Sequence, residues 1–249
     1  MLIQPTLDGL KMLKLFGMLK ALESQMAAPD SASLCFEERL GLLVDHELTS
    51  RDNRKIQTRL KIAKLAHAAT IEDVDTKGSR GLDRATLASL STSDWIRRNQ
   101  NIIIDGATGV GKSFVACALA QKACRDGYTV HFDRTSRLFQ NLSIARADGR
   151  YTKVLAAIAG KDVLVIDDFG LFQLSEEQRQ DLLEIMEDRY KRKSTIFTSQ
   201  IPVDHWHEII GDPTIADAIL DRVVHNSHKI RLKGESRRKS NDKEMQLVG

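Results

Sequence analysis

The sequence predicts an α/β protein in which a parallel sheet of five strands follows a small all-helical N-terminal domain. From about residue 95 onward, apolar β-branched runs alternate with helical periods, in the manner of βαβ units. Residues 1–70 instead place apolar side chains three and four positions apart, as amphipathic helices do. We therefore divide the 249 residues into a helical domain at 1–70, a linker at 71–94 and an α/β domain at 95–249.

Composition excludes membrane and secreted classes of protein. The chain is 42% hydrophobic and 29% charged, which is ordinary for a globular protein. No apolar run approaches the ~20 residues of a membrane span, and the first residues lack the basic and long apolar regions of a signal peptide. The three cysteines, Cys35, Cys117 and Cys124, are an odd count, and the last two are too far apart to bridge. We expect reduced thiols in a cytoplasmic protein that has no membrane partner.

The helical domain combines two apolar patterns with a run of positive charge. One pattern covers Leu7 to Phe16 and the other Phe36 to Leu48, and Pro29 lies in the turn predicted between them. The second pattern continues into six cations: Arg51, Arg54, Lys55, Arg59, Lys61 and Lys64. Such a run is either a solvated helix face or a surface that contacts the phosphates of double-stranded DNA. The net charge of +3 does not decide between these readings.

The rest of the chain is predicted in order as follows. A short helix at Arg84–Leu90 interrupts the linker, which otherwise has no clear period. The α/β domain then comprises a strand beginning at Asn101, a helix from Ser113 to Gly127, the strand Tyr128–Asp133, helices Ser136–Ala147 and Val154–Ala159, the strand Asp162–Asp167, the helix Glu176–Tyr190, the strand Ser194–Ser199, short helices around Trp206 and at Ala216–Val224, and the strand His228–Leu232. Trp95 and Trp206 are predicted to anchor the core.

A glycine-rich turn follows the strand that begins at Asn101. It matches the P-loop pattern G-x-x-x-x-G-K-[ST] over Gly106, Ala107, Thr108, Gly109, Val110, Gly111, Lys112 and Ser113. Glycines let several backbone N–H groups turn inward around a phosphate, and the helix that follows points its positive end at the same anion. In this motif Lys112 reaches the β- and γ-phosphates and Ser113 binds Mg²⁺. The turn therefore predicts a site for ATP and Mg²⁺.

Two carboxylates end the third predicted strand. The apolar run that begins at Val163 leads into Asp167 and Asp168, as expected of a parallel strand that is buried on both faces. With a P-loop upstream, this pattern indicates a Walker B element. Asp167 would hold Mg²⁺ and Asp168 would orient or deprotonate the attacking water. Glu is more usual than Asp at the second position, so we expect slow hydrolysis.

Several segments beyond the P-loop and the two carboxylates resemble those of one known protein family. They are Arg189–Pro202, Trp206, Ala218–His225 and Gly234–Arg238, in addition to Gly106–Ser113 and Asp162–Gly170. Together they resemble the IstB-type transposition helper ATPases, which are AAA+ proteins related to the DnaC-type helicase loaders. The basic segment Arg51–Leu65 resembles the N-terminal helical region of the same family.

This resemblance implies both a function and roles for particular residues. It implies an AAA+ ATPase that forms ATP-dependent homo-oligomers, binds and remodels target DNA, and recruits and stimulates a partner transposase. Ser199 or Gln200 would serve as sensor 1, and Gln200 is the residue that we assign to catalysis. Arg222 would be the arginine finger that reaches the γ-phosphate of a neighbouring subunit. Arg238, or Arg237 beside it, would contact the nucleotide as a sensor 2 residue.

Two other functions remain open at this point. A replicative helicase loader would keep the fold, but its N-terminal face should be apolar and aromatic rather than basic. A metabolic kinase would use the same P-loop to phosphorylate a small molecule, and it would need an acceptor pocket or a substrate lid. We find no motif for either between the strands.

Overall fold

The computed structural model describes residues 3–28, 33–76 and 81–236. The chain divides into two compact units, Met1–Thr58 and Arg59–Gly249. The boundary lies inside one long helix and earlier than the domain limit predicted at residue 70. None of the described helices is long and apolar enough to cross a membrane.

The N-terminal unit is helical, as predicted. It contains α1 (Gln4–Met12), α2 (Phe16–Ala27) and most of α3 (Phe36–Ala63). The first apolar pattern is split into two helices because Lys14 adopts a left-handed conformation, with φ 57°. Glu47 of α3 joins α3 to α2, since its Oε2 accepts the N–H groups of Gly17 at 2.7 Å and Met18 at 3.1 Å. A hydrogen bond from Arg51 holds the pKa of Glu47 below its ordinary value.

Many apolar side chains of the N-terminal unit lie on its surface. Met12 is 84% exposed and Phe36 is 72% exposed. On α3, Leu40, Val44 and Leu48 are also exposed, at four-residue spacing along one side of the helix. An apolar surface of this kind is typical of a region that contacts another macromolecule.

The predicted linker is part of the second unit. It contains a 3₁₀ turn at Ile71–Asp73, α4 (Arg84–Ser91) and α5 (Asp94–Arg97). Val74, Leu82 and Leu87 are buried in the same apolar cluster as the helix that follows the P-loop. Residues 71–76 and 81–94 are therefore a packed layer, which the weak periodicity of the sequence did not indicate.

The second unit is built on a sheet of five parallel strands, which confirms the predicted fold class. The strands are β1 (Asn101–Gly106), β2 (Val130–Arg134), β3 (Val163–Phe169), β4 (Ser194–Ser199) and β5 (Ser227–Leu232). Their order across the sheet is β2-β3-β4-β1-β5, with every neighbouring pair parallel. The carboxyl ends of β1, β3 and β4 consequently lie side by side, and a ligand site is expected there.

Helices cover both faces of this sheet. They are α6 (Lys112–Arg125), α7 (Thr135–Ala147), α8 (Tyr151–Ala159), α9 (Glu176–Arg189), α10 (Trp206–Ile210) and α11 (Pro213–Val224). Side chains that accept backbone N–H groups fix several helix starts: Asp83 caps α4, Ser175 caps α9 and Asp212 caps α11. The predicted elements from β1 onward are confirmed, with ends that differ by a few residues.

The core consists of two apolar clusters, one on each face of the sheet. Ile102 and Ile104 of β1 belong to the cluster that includes α6, whereas Ile103 belongs to the cluster that includes α7, α9 and α11. This alternation explains why the strand is apolar throughout. Trp95 and Trp206 are buried, as predicted. Of the three free cysteines, Cys117 and Cys124 are buried and Cys35 is exposed.

Candidate nucleotide-binding site

The P-loop connects the end of β1 to the start of α6. Gly109 and Gly111 have φ angles of 83° and 105°, which side chains other than glycine rarely adopt. Gly111 is also the N-cap of α6, so no side chain caps the first N–H groups of this helix. These backbone donors and the positive end of the helix dipole form a ready site for an anion.

Lys112 lies within the P-loop and is 5% exposed. Its Nζ donates to the carbonyl oxygens of Gly106 at 2.8 Å and Ala107 at 2.9 Å. The ammonium group is therefore held beside the loop that would enclose phosphate. Phosphate oxygens carry negative charge and carbonyl oxygens do not, so phosphate is the stronger acceptor for this ammonium group.

A β-bulge in β3 contains the two predicted carboxylate residues. The pairing of β3 with β4 shifts register between Ile166 and Phe169, so Asp167 and Asp168 both lie opposite Thr198. Asp168 has a φ of 58° at this bulge. Bulges re-aim side chains next to functional sites, and this one separates a buried Asp167, 1% exposed, from a half-buried Asp168.

Thr198 connects the two carboxylate residues. Its Oγ1 donates to Oδ1 of Asp167 at 2.6 Å and accepts the N–H of Asp168 at 3.0 Å. Thr135, at the start of α7, donates to the carbonyl oxygen of Asp167 at 2.9 Å. Thr135 had no predicted role. Thr198 begins the stretch Thr198–Gln200 that the resemblance places at sensor 1, but only Ser199 and Gln200 were weighed for that role.

The structure brings Gln200, and not Ser199, against the P-loop. Oε1 of Gln200 accepts a hydrogen bond from Oγ1 of Thr108 at 2.7 Å. Ser199 is fully buried, where its hydroxyl donates to the carbonyl of Phe169 at 2.8 Å and accepts the N–H of Ile201 at 3.0 Å. Geometry therefore favours Gln200 for contact with a ligand, whereas Ser199 shapes the end of the strand.

These residues fit a magnesium nucleoside triphosphate. Ser113 lies in the first turn of α6, beside the loop that would hold the phosphates. Asp167 lies two strands away from β1 at the same edge of the sheet. Hydroxyl and carboxylate oxygens are the ligands that Mg²⁺ prefers, and one or two of them suffice when the substrate phosphates supply others.

A small cavity lies between the P-loop and the segment that was predicted to be a linker, residues 71–94. Val74 and Leu82 line it together with Val110 and Phe114, and Asp75 and Leu232 complete the wall. The cavity has room for little more than one water molecule, so these side chains pack closely against the loop. Val110 was predicted as part of the P-loop, whereas the contacts of Val74, Asp75 and Leu82 were not predicted, because nothing in the pattern of 71–94 indicated packing against the loop.

Arg222 lies far from the P-loop of its own subunit. On α11, its Nη1 donates to the carbonyl of Ala218 at 2.7 Å and its Nη2 donates to Oε1 of Glu187 at 2.9 Å. Its own carbonyl accepts from Asn101 at 3.2 Å, at the start of β1, whereas the P-loop follows the end of that strand. At ~3.3 Å per residue, the five steps along β1 from Asn101 to Gly106 separate these two points by about 17 Å.

The six predicted DNA-contacting cations lie on α3 and just after it. Arg51 pairs with Glu47 at 2.7 Å, Lys55 pairs with Asp52 at 3.1 Å, and the guanidinium of Arg54 lies over the ring of Phe16 at 5.5 Å. Among the described residues, no carboxylate pairs with Arg54, Arg59, Lys61 or Lys64. Arg237 and Arg238 lie outside the described residues. Ser236, just before them, packs against Gly109 of the P-loop.

Comparison with known proteins identifies the family. The model of the IstB-like ATP binding proteins matches residues 8–245. An insertion sequence ATP-binding protein of Sinorhizobium fredii is 52% identical over 96% of this chain and 98% of its own length. The IS21 ATP-binding protein of Pseudomonas aeruginosa is 32% identical over 87% of this chain and 82% of its own.

Solved structures with the same fold include two replication proteins. The DnaC helicase loader has a TM-score of 0.56 at 21% identity, covering 69% of this chain and all of its own. The initiator DnaA bound to AMPPCP and single-stranded DNA has a TM-score of 0.57 at 17% identity, covering 74% of this chain and 56% of its own. These similarities confirm the AAA+ fold. The chain has a P-loop and two carboxylate residues in a β-bulge, and the family model and the curated relatives match nearly its whole length. It therefore belongs to the family of IstB-like ATP binding proteins.

Proposed function

We propose that this protein is a DNA-dependent ATPase that assembles on target DNA and recruits and stimulates the transposase of its insertion sequence. The observation that carries the proposal is the convergence of the P-loop, the Asp167–Asp168 bulge and Gln200 at one edge of the sheet. The insertion sequence ATP-binding proteins among its relatives supply the biological setting.

ATP hydrolysis would use residues already in position. Lys112 would exchange its two carbonyl acceptors for oxygens of the β- and γ-phosphates. Ser113 and Asp167 would hold Mg²⁺, which when bound neutralises charge on the transferred phosphoryl group. Asp168 would orient the attacking water or accept its proton. Gln200, bonded to the P-loop threonine Thr108, would position the same water through its amide.

Slow basal hydrolysis follows from the second carboxylate. Asp168 is one methylene shorter than the more usual Glu, and its backbone N–H is tied to Thr198 at 3.0 Å. The carboxylate is therefore held close to its own strand. We propose that DNA or the transposase stimulates hydrolysis by moving this residue or the bound phosphate.

The position of Arg222 supports an active site that is shared between subunits. An arginine whose backbone lies about 17 Å from its own P-loop cannot reach the γ-phosphate of its own subunit, because its side chain is far shorter. A neighbouring subunit can supply the same group, as arginine fingers do in other P-loop enzymes. We therefore propose that ATP holds a homo-oligomer together. When a neighbouring subunit joins, Arg222 leaves Glu187 and contacts the γ-phosphate bound by that subunit.

The cations after Glu47 are the proposed contact with double-stranded DNA. Arg54, Lys61 and Lys64 are exposed, and within the described part of the chain they have no carboxylate partner. Cations without a partner can neutralise DNA phosphates and release counterions, which binds duplexes without regard to sequence.

The first test is assembly on DNA with ATP, followed by electron microscopy and sedimentation. We expect Lys112→Ala and Asp167→Ala to abolish ATP-dependent assembly, and Asp168→Asn to trap the ATP-bound assembly on DNA. The matched control is Lys122→Ala, at the far end of α6, where Lys122 pairs with Asp126. Assembly by both Lys112→Ala and Asp167→Ala at the level of the control would contradict the proposed site.

One observation favours a second function. The exposed Phe16 and Phe36, with Met12 and Leu13, give the N-terminal unit the apolar and aromatic surface expected of a helicase loader. Affinity capture with equal amounts of purified transposase and purified replicative helicase separates the two functions. Retention of the helicase alone would support the loader.

A further inference from the structure

A buried carboxylate lies directly before the P-loop. Asp105 is the residue that precedes Gly106, and its side chain is 12% exposed. Arg231 of β5 pairs with it: its Nε donates to Oδ2 at 3.0 Å, and its Nη2 lies 2.9 Å from the same oxygen as an ion pair. β1 and β5 pair Asp105 with Arg231 in register, so both side chains stand on the same face of the sheet.

The end of β5 also contacts the P-loop at two other points. The carbonyl oxygen of Leu232 lies so close to Gly106 that a methyl group there would overlap it. Ser236 occupies the space where a side chain at Gly109 would lie. The segment from Arg231 to Ser236 therefore forms one side of the P-loop.

We propose that Arg231 is a positioning residue for ATP binding, which neutralises Asp105 and so lets the P-loop accept a polyphosphate. This inference rests on the proposed binding of ATP at the P-loop. Arg231 touches no phosphate in this proposal. It acts through Asp105 and through the β5 end that supports the loop.

Electrostatics gives the reason. Arg231 supplies the cation that pairs with the Asp105 carboxylate, and without it this carboxylate would stand uncompensated next to a loop that must hold several phosphate charges. Like charges repel by an amount that grows as the product of the two charges and falls with distance and dielectric constant. The loss of affinity should therefore increase with the charge of the nucleotide, which a general loosening of the fold does not predict.

The experiment measures the affinity of the full-length protein for fluorescent ATP and ADP analogues in the presence of Mg²⁺. We expect Arg231→Gln to weaken ATP binding about tenfold and ADP binding about threefold. Arg231→Lys keeps the charge but loses the Nε hydrogen bond, so it should weaken ATP binding by a smaller factor.

A double variant separates repulsion from damage to the fold. In the Arg231→Gln background, Asp105→Asn removes the unpaired charge and should restore most of the ATP affinity. The matched control is Lys193→Gln, which breaks the Lys193–Asp162 pair, 2.6 Å long, at the opposite end of the sheet. It should leave both affinities unchanged while thermal unfolding reports any loss of stability.

Three results would overturn the inference: full ATP affinity in Arg231→Gln, equal losses for ATP and ADP, or no recovery in the double variant. Each is judged against measurable ATP binding by the wild-type protein. If the wild-type protein binds no nucleotide, the proposed function itself fails, so the two failures are distinguishable.

Discussion

At the scale of single residues, Thr198 bonds both the carboxylate of Asp167 and the backbone N–H of Asp168. Thr198→Val keeps the shape of the side chain but removes both hydrogen bonds to the bulge. A hydrogen bond to a charged group contributes about 1.5–3 kcal/mol, so we expect ATP hydrolysis to fall about 10- to 100-fold while ATP binding persists. Steady-state hydrolysis and nucleotide titration measure the two effects.

Thr198→Ser is the control for this prediction, because it keeps the hydroxyl group. A Val variant as active as the Ser variant would mean that the bulge maintains itself without Thr198.

Arg222 gives a second prediction at this scale. Arg222→Ala should bind ATP normally and lose about 10³–10⁵ in hydrolysis rate. Mixed with Lys112→Ala, it should regain activity, because an intact P-loop in one subunit can meet an intact Arg222 from the next. The measurement is the hydrolysis rate against mixing ratio.

Glu187→Gln is the control for that experiment, since it frees Arg222 from its partner at 2.9 Å without removing the arginine. If the two variants assemble together and yet show no recovery, Arg222 acts within its own subunit or only stabilises α11 against α9.

The sequence predicts candidate site residues more readily than it predicts their geometry. The P-loop motif has a fixed spacing, because its glycines, lysine and serine must be placed around a phosphate and a metal ion. Thr198 and Val74 have no such spacing. Their roles depend on which strands are neighbours and on how a weakly periodic segment packs, and neither is encoded locally.

At the scale of elements, α3 is the proposed DNA-contacting helix. Replacing Arg54, Lys61 and Lys64 with Ala should weaken duplex binding equally for different sequences. The slope of log affinity against log salt is negative, and each lost phosphate contact reduces its magnitude by about 0.9. The magnitude should therefore decrease by about 2 to 3. Fluorescence anisotropy across a salt series measures it.

Arg51 and Lys55 provide the matched control on the same helix, because Glu47 and Asp52 already neutralise them. Their replacement by Ala should change the slope less. An unchanged slope in the triple variant would identify α3 as a solvated helix.

Element boundaries were predictable where a cap or a buried run marked them. Ser175 and Gln178 form a reciprocal cap at the start of α9, and the predicted start coincides with the observed one. The break at Lys14 was not predictable, since lysine is a good helix former and nothing in the local sequence marks a left-handed residue there.

At the scale of the whole molecule, Arg189 ties two parts of the second unit together. It is 1% exposed, and it donates to the carbonyls of Ala159 and Lys161 at 2.8 Å each and to Oγ1 of Thr195 at 3.0 Å. Burial lowers the pKa of Arg189 to about 9, so it still carries its charge at neutral pH.

Arg189→Met would leave these buried acceptors unsatisfied. We expect the free energy of unfolding to fall by about 3 kcal/mol, measured by urea denaturation. Exposed Arg192 is the control, and its replacement by Met should change stability by less than about 0.5 kcal/mol. Equal stability of the two variants would mean that water or a neighbouring donor replaces the arginine.

The fold class followed from the sequence because five apolar strands alternating with helices have few arrangements. The domain boundary did not, because one helix, α3, runs through it without a glycine or proline to mark the change.

The placement of the three thiols makes the chain convenient for labelling. Cys117 and Cys124 lie inside α6, where burial raises the pKa of each to about 11. Thiol reagents attack the thiolate, so at neutral pH a maleimide dye should react with exposed Cys35, just ahead of α3, and spare the other two. The unmodified sequence thus offers a single attachment point for a fluorophore on the N-terminal unit, from which DNA engagement could be followed in real time without altering the ATPase site.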